Sequence, residues 1–190
     1  MKNFEVNRIL VYLAPGFEEI EAVTIIDLLR RAGLDVTVAG LQPDQVTGSH
    51  GITVIPDIFY VDADADDYDG LVLPGGQPGS SNLKSNVQVL QTVKKYHKQN
   101  KLIAAICAAP TVLAEAGILK NRKVTSYPEE KEAFSSSEYL DSAVVKDGMV
   151  VTSRGVGTAI EFVLELIKII RDEAASNKLA ARILWHPFAD

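Results

Sequence analysis

Apolar residues come in short blocks along this chain, and the blocks alternate between two periods. RILVYLAPG (8–16) is a near-continuous apolar run closed by Pro15-Gly16, the pattern of a buried strand. EEIEAVTIIDLLRRAG (18–33) has helical spacing, with Ala22, Ile25, Leu29 and Ala32 on one face and Gly33 as the stop. DVTVAG (35–40) completes a strand–helix–strand unit, which predicts a parallel sheet with a right-handed crossover.

The alternation continues downstream. GITVIPD (51–57) is a short strand candidate, and GLVLPGG (70–76) is a buried strand ending in a Gly-Gly turn. Residues 85–100 form an amphipathic helix, KLIAAI is a strand, and APTVLAEAGIL is a helix. KVTSYP (123–128) reads as a strand, and VVKDGMVVTS (144–153) as a hairpin turning at Asp147-Gly148. Residues 157–172 carry the strongest helical pattern, which 173–184 are expected to continue. With no internal repeat or low-complexity linker, residues 1–190 read as one domain, a doubly wound α/β sandwich around a mostly parallel central sheet. Ligands of such sheets bind beyond the carboxyl ends of the strands, where Gly16-Phe17-Glu18, Gly75-Gly76 and Cys107 all fall.

Composition narrows the function classes. Lys plus Arg is 19 and Asp plus Glu is 25, a net charge of −6 that argues against nonspecific nucleic-acid binding. The single cysteine excludes an intrachain disulfide and suits a reducing cytoplasm. MKNFEVNRILVYLAPG lacks the regions of a signal peptide, and no stretch approaches the ~20 apolar residues of a membrane span, so the expectation is a cytoplasmic protein with no membrane partner. The acid-rich DADADDYDG (62–70) lacks the glutamate and glycine spacing of a calcium loop, and Cys107 with the dispersed His50, His97 and His186 shows no zinc-ligand spacing. Neither a metal nor a cofactor is expected.

Cys107 ends an apolar strand and stands just before a helix opened by Pro110. A buried free cysteine is commonly an inert small hydrophobe. A strand passing directly into a helix instead lifts its junction residue to the top of the sheet, facing unpaired N–H groups and a positive dipole end that lower a thiol pKa. Gly75-Gly76 is either a tight turn or a place where backbone amides approach a ligand. Glu21 lies on the inward face of its helix beside Ile25 and Leu28, where desolvation raises a carboxyl pKa and makes it a proton donor. Glu18 and Glu19 are read as acidic residues suited to a helix N-terminus, a reading also open to Glu21.

The blocks LAPGFEEIEAVTIIDLLRRAGLDVTVAGL (13–41), LVLPGG (71–76), LIAAICAAPTVLAEAGIL (102–119), VTSYP (124–128) and VTSRGVGTAIEF (151–162) together resemble the ThiJ/PfpI superfamily, most closely its DJ-one branch. The resemblance implies a flavodoxin-like homodimer with Cys107 as an oxidisable nucleophile and Glu21 as its protonated partner. It also implies Gly75, Gly76 and Ala108 as amide donors around a small pocket, with Tyr127, Arg31, His50 and Arg154 as further substrate-binding positions. Tyr127 and His50 stand where the branch often has histidine and arginine, and Val156 replaces a proline of close relatives.

The activity so implied is glutathione-independent conversion of methylglyoxal and related dicarbonyls, or of their adducts. The alternative is a redox-sensing chaperone without turnover. Peptidase action is disfavoured because Ala108, not histidine, follows Cys107. A flavin site is disfavoured because Glu18 and Glu19 stand where a phosphate would bind, and thiamine-related chemistry lacks a phosphate loop.

Overall fold

A computed structural model describes residues 7–186; Glu5 and the other residues 1–6 of the segment read for targeting lie outside the described residues. Its strands are β1 (Arg8–Leu13), β2 (Asp35–Gly40), β3 (Val46–Thr47), β4 (Thr53–Val54), β5 (Ile58–Phe59), β6 (Gly70–Leu73), β7 (Leu102–Ile106), β8 (Lys123–Val124), β9 (Glu138–Tyr139), β10 (Val144–Asp147) and β11 (Val150–Ser153). Its α-helices are α1 (Glu19–Arg31), α2 (Gly79–Ser85), α3 (Val87–Lys98), α4 (Pro110–Glu115), α5 (Ala159–Ile170) and α6 (Glu173–Arg182).

Seven strands form the central sheet in the order β10-β11-β7-β6-β1-β2-β5. All its pairings are parallel except the β10–β11 hairpin at one edge, as a flavodoxin-like fold requires. The chain leaves β1 toward β2 on one side and later returns to β6 on the other. That reversal opens a crevice at the carboxyl ends of β1 and β6, where a doubly wound sheet binds its ligands.

Alternation along the buried strands separates two cores. Leu10, Tyr12, Leu71, Leu73, Ile103 and Ala105 point to the layer containing Val93 and Tyr96 of α3 and Val112 and Leu113 of α4. Ile9, Val11, Val72, Ala104 and Ile106 point the other way, against Ile25 and Leu29 of α1 and Phe162, Val163 and Ile167 of α5. Both sheet faces are covered, which is why these strands read as continuous apolar runs.

Several sequence expectations shift. The strand expected over 51–57 is split by Pro56: Thr53–Val54 pairs with Val46–Thr47, and only Ile58–Phe59 joins the main sheet. The strand over 123–128 shortens to Lys123–Val124, pairing with Glu138–Tyr139 in a separate two-stranded ladder. Helix α2, with the poor helix formers GSSN at its start, had no periodic signal. The last helix breaks at Arg171, and Asp172 caps the new start by accepting from the Ala175 N–H at 2.7 Å.

Phe162 is fully buried at the centre of the α1–α5 layer. Phe162→Ala is expected to cost about 3–5 kcal/mol in denaturant unfolding; a loss below about 1 kcal/mol would show that this layer is not tightly packed.

Candidate active site

Strand β7 ends at Ile106, and α4 begins with Pro110 at its first position. Between them Cys107 takes φ 62°, a left-handed conformation that a side-chain-bearing residue adopts only when its surroundings hold it. Three backbone hydrogen bonds do so: Cys107 N–H to Ser153 O at 3.0 Å, Tyr127 N–H to Cys107 O at 2.8 Å, and Ala109 N–H to Ile106 O at 3.0 Å. The sulfur is half-buried and lines a cavity of about 570 Å³ with Gly76, Ala108, Tyr127, Arg154 and Gly155. The inert-core reading of Cys107 therefore fails on geometry.

Glu21, in the first turn of α1, is completely buried with its carboxyl turned toward the elbow. Its Oε2 accepts from the Gly75 N–H at 2.9 Å, Oε1 has no hydrogen-bond partner among the described residues, and the carboxyl as a whole interacts with Cys107. Burial pushes this carboxyl from its ordinary 4.5 up to about 7, against the opposing Gly75 and Cys107 hydrogen bonds. Burial also pushes the thiol up, to about 12, helped by the negative charge of Glu21. The Gly76 and Ala108 amides pull the other way.

The lowering expected of the elbow is therefore present but outweighed, because the sulfur is less hydrated than its position in the chain suggested. A proton kept on Glu21 would remove the repulsion and donate a hydrogen bond to sulfur instead. Cys107 and Glu21 thus titrate as one pair.

The glycines divide by role. A Cβ on Gly75 would lie 2.5 Å from the Cys107 Cβ, and one on Gly76 would lie 2.3 Å from the Glu18 backbone N, with φ already +93°. Only glycine lets this turn press against the elbow. Gly76 and Ala108 face sulfur as expected, whereas the Gly75 N–H is occupied by Glu21 and orients that acid rather than a substrate.

Two expected site residues lie outside the cavity lining of this chain. Arg31 stands ten residues beyond Glu21 on α1, roughly 15 Å along the helix, and bonds Asp27 at 2.6 Å. His50 lies on an exposed turn outside the cavity lining, its Nδ1 3.1 Å from Glu19 Oε2 and 3.5 Å from Glu18 Oε2. In this chain neither residue lines the Cys107 cavity. Arg154 does line it, but its guanidinium is paired with Asp141.

Glu19 was expected only to favour the helix start, yet it ties down the turn before β4. It accepts from the His50 N–H at 2.7 Å and the Ile52 N–H at 3.3 Å. Burial would raise its pKa, but these hydrogen bonds and the His50 ring outweigh burial and bring it to about 2. Glu18, His50 and Glu19 form a compact cluster with metal-ligating atoms, but the carboxylate of Glu19 is already satisfied by the chain. Sequence reasoning missed the roles of Glu18, Gln77, Glu129 and Glu130 in the cavity mouth, since isolated polar residues in loops carry no periodic signal.

A family model described as DJ-1/PfpI family matches residues 7–169. Protein dj-1beta of Drosophila melanogaster is 41% identical over 178 residues, covering 92% of this chain and 95% of that protein. A Thermococcus kodakarensis protein named Deglycase TK1284 is 34% identical, covering 86% of this chain and 99% of its own length. The crystal structure of Drosophila DJ-1beta superposes with a TM-score of 0.92 at 39% identity, covering 96% of this chain and all of that one, 100%. With its elbow cysteine, buried acid and sheet order in place, the chain belongs to the DJ-1/PfpI family.

Proposed function

We propose that the protein converts small dicarbonyls such as methylglyoxal, or their adducts, by covalent catalysis at Cys107. The observation that carries this reading is the buried carboxyl of Glu21, its Oε1 without a hydrogen-bond partner, interacting with a Cys107 that lines an open cavity. The deglycase name of the Thermococcus relative supports the same reaction class.

In this mechanism the sulfur attacks the aldehyde carbon as its proton passes to Glu21. The carbonyl π pair moves to oxygen, next to the Gly76 and Ala108 amides, and Glu21 passes its proton on to that oxygen, giving a hemithioacetal. The Glu21 carboxylate then takes the proton from the former aldehyde carbon as the C–H pair forms an enediol and the ketone oxygen gains a proton from solvent. Glu21 returns its proton to the second carbon while the first carbon's hydroxyl gives its proton to solvent and becomes the thioester carbonyl. The first carbon is thereby oxidised to a thioester while the neighbouring ketone is reduced to an alcohol. Water hydrolyses the thioester, releasing lactate and restoring the thiol. The sum is methylglyoxal plus water giving lactate, with no external oxidant or reductant.

A redox-sensing role uses the same half-buried sulfur, because oxidation follows thiolate character and access. A reducing compartment, such as the cytoplasm, keeps a lone thiol available for either role. Among the described residues no helix is long and apolar enough to cross a membrane.

The assembly is a homodimer in this reading, built on the outer face of α1 and the loop beside it. Ile20, Val23, Ile52 and Ile55 are each at least half exposed there, at 56%, 50%, 56% and 80%.

Purified protein is expected to form lactate from methylglyoxal without glutathione. Cys107→Ala should abolish this, and Glu21→Gln should lower kcat by roughly 100-fold or more, the scale of a lost general acid–base group. Turnover surviving both substitutions would remove the mechanism. Light scattering on the eluting protein should give twice the chain mass, and Val23→Glu should shift it to one; a wild-type monomer would reject the dimer.

A further inference from the structure

Gly155 follows β11 and faces the reacting pair, yet nothing in its backbone requires glycine. Its φ of 164° and ψ of −165° are extended values open to any residue. Packing does not require it either. A Cβ built there would sit 3.7 Å from Tyr127 Cδ2, 3.9 Å from Cys107 Sγ and 3.9 Å from Glu21 Oε1, all ordinary contacts. At Gly75 and Gly76, by contrast, a Cβ would collide. The space beside Gly155 is therefore a methyl-sized gap that folding leaves open, bounded by the nucleophile, the buried acid and an aromatic ring.

Three features say what belongs in this gap. Glu21 Oε1 is buried and has no hydrogen-bond partner among the described residues. Gly155 is pinned, its N–H donating to Thr158 Oγ1 at 3.1 Å and its carbonyl accepting from that hydroxyl at 2.9 Å, so the gap is held open. Once sulfur has bonded to an aldehyde carbon, the atoms carried by the next carbon fall at about the separation from sulfur at which this gap lies. The cavity of about 570 Å³ is also lined by Tyr127 and Val156, leaving room for the rest of the substrate.

We propose that the space beside Gly155 is a subsite for the second carbonyl oxygen of a vicinal dicarbonyl, which makes Gly155 the residue that selects such substrates over simple aldehydes. The inference rests on covalent capture by Cys107 as described above. It adds the reason a second oxygen is recognised: seated nearer to Glu21 than that Cβ position, the oxygen accepts a hydrogen bond from protonated Glu21 Oε1, which has no partner among the described residues. Capture itself forms one S–C bond, moves the carbonyl π pair to oxygen and passes the thiol proton through Glu21. No further reactant is needed.

The test is protection of Cys107 from iodoacetamide, which does not depend on turnover. In wild-type protein, methylglyoxal and glyoxal should protect at concentrations at least about tenfold below those needed with acetaldehyde, after correction for hydration of each aldehyde. Gly155→Ala should keep its thermal transition and its alkylation rate without aldehyde, yet lose this preference. It should also lose roughly 100-fold in kcat/KM for both dicarbonyls, the scale of displacing a reacting atom by about an ångström.

Equal protection by mono- and dicarbonyls in wild type would overturn the inference, as would an unchanged preference in Gly155→Ala. So would a loss confined to methylglyoxal, because the gap would then hold its methyl group. A slower unprotected alkylation in Gly155→Ala would likewise overturn it, placing the effect on the thiol. If the preference is present but neither dicarbonyl is turned over, the subsite stands and the proposed catalytic reading falls.

Discussion

The buried carboxyl of Glu21 and the half-buried sulfur of Cys107 are held against each other at the edge of the cavity, and the surrounding architecture serves to keep them there. Burial raises both groups, the carboxyl to about 7 and the thiol to about 12, so two negative charges cannot coexist at neutral pH. The amides of Gly76 and Ala108 favour charge on sulfur, and the Gly75 N–H favours it on Glu21. Because these donors come from neighbouring turns, a small movement of the proton changes which of the two groups carries the negative charge.

Holding that pair requires three segments distant in sequence to meet at one rim. The reversal of strand order beside β1 brings the start of α1 against the Gly75-Gly76 turn after β6, and β7 adjoins it to supply the elbow. Close approach is possible only because Gly75 leaves no side chain against Cys107 and Gly76 leaves none against the Phe17–Glu18 backbone. The left-handed backbone at Cys107 is the local cost, offset by the hydrogen bonds from Tyr127 and to Ser153. Gly155 differs from the other two glycines, since its missing side chain leaves space rather than relieving a clash.

Much of this was legible in the chain because the signals were local. The apolar runs 8–16, 70–76 and 101–106 and the helices over 18–33 and 157–172 marked the sheet and its covering layers. Cys107 could be placed at an elbow from its neighbours, and Glu21 at an inward position from helical spacing. What escaped was set by distant contacts. Helix α2 depends on packing rather than on propensity, and the short β3–β4 hairpin turns on the Glu19 carboxylate reaching across to His50 and Ile52. Arg31 and His50 were placed by resemblance and lie outside the cavity lining in this chain. The depth at which sulfur is buried, which reverses the net direction of its shift, follows from packing that no short stretch encodes.

The rate of Cys107 alkylation by iodoacetamide, followed against pH in the wild-type protein and in Glu21→Gln, reads the shared proton most directly. Ionised Glu21 takes the thiol proton as sulfur attacks, so the wild-type rate should rise with a midpoint near the value of about 7 that Glu21 takes when buried. Glu21→Gln removes that base and also the negative charge that helps to raise the thiol, so the step near 7 should vanish and leave a single rise below about 12. A wild-type rate that stays flat through neutrality, or a variant that keeps the step near 7, would contradict the account.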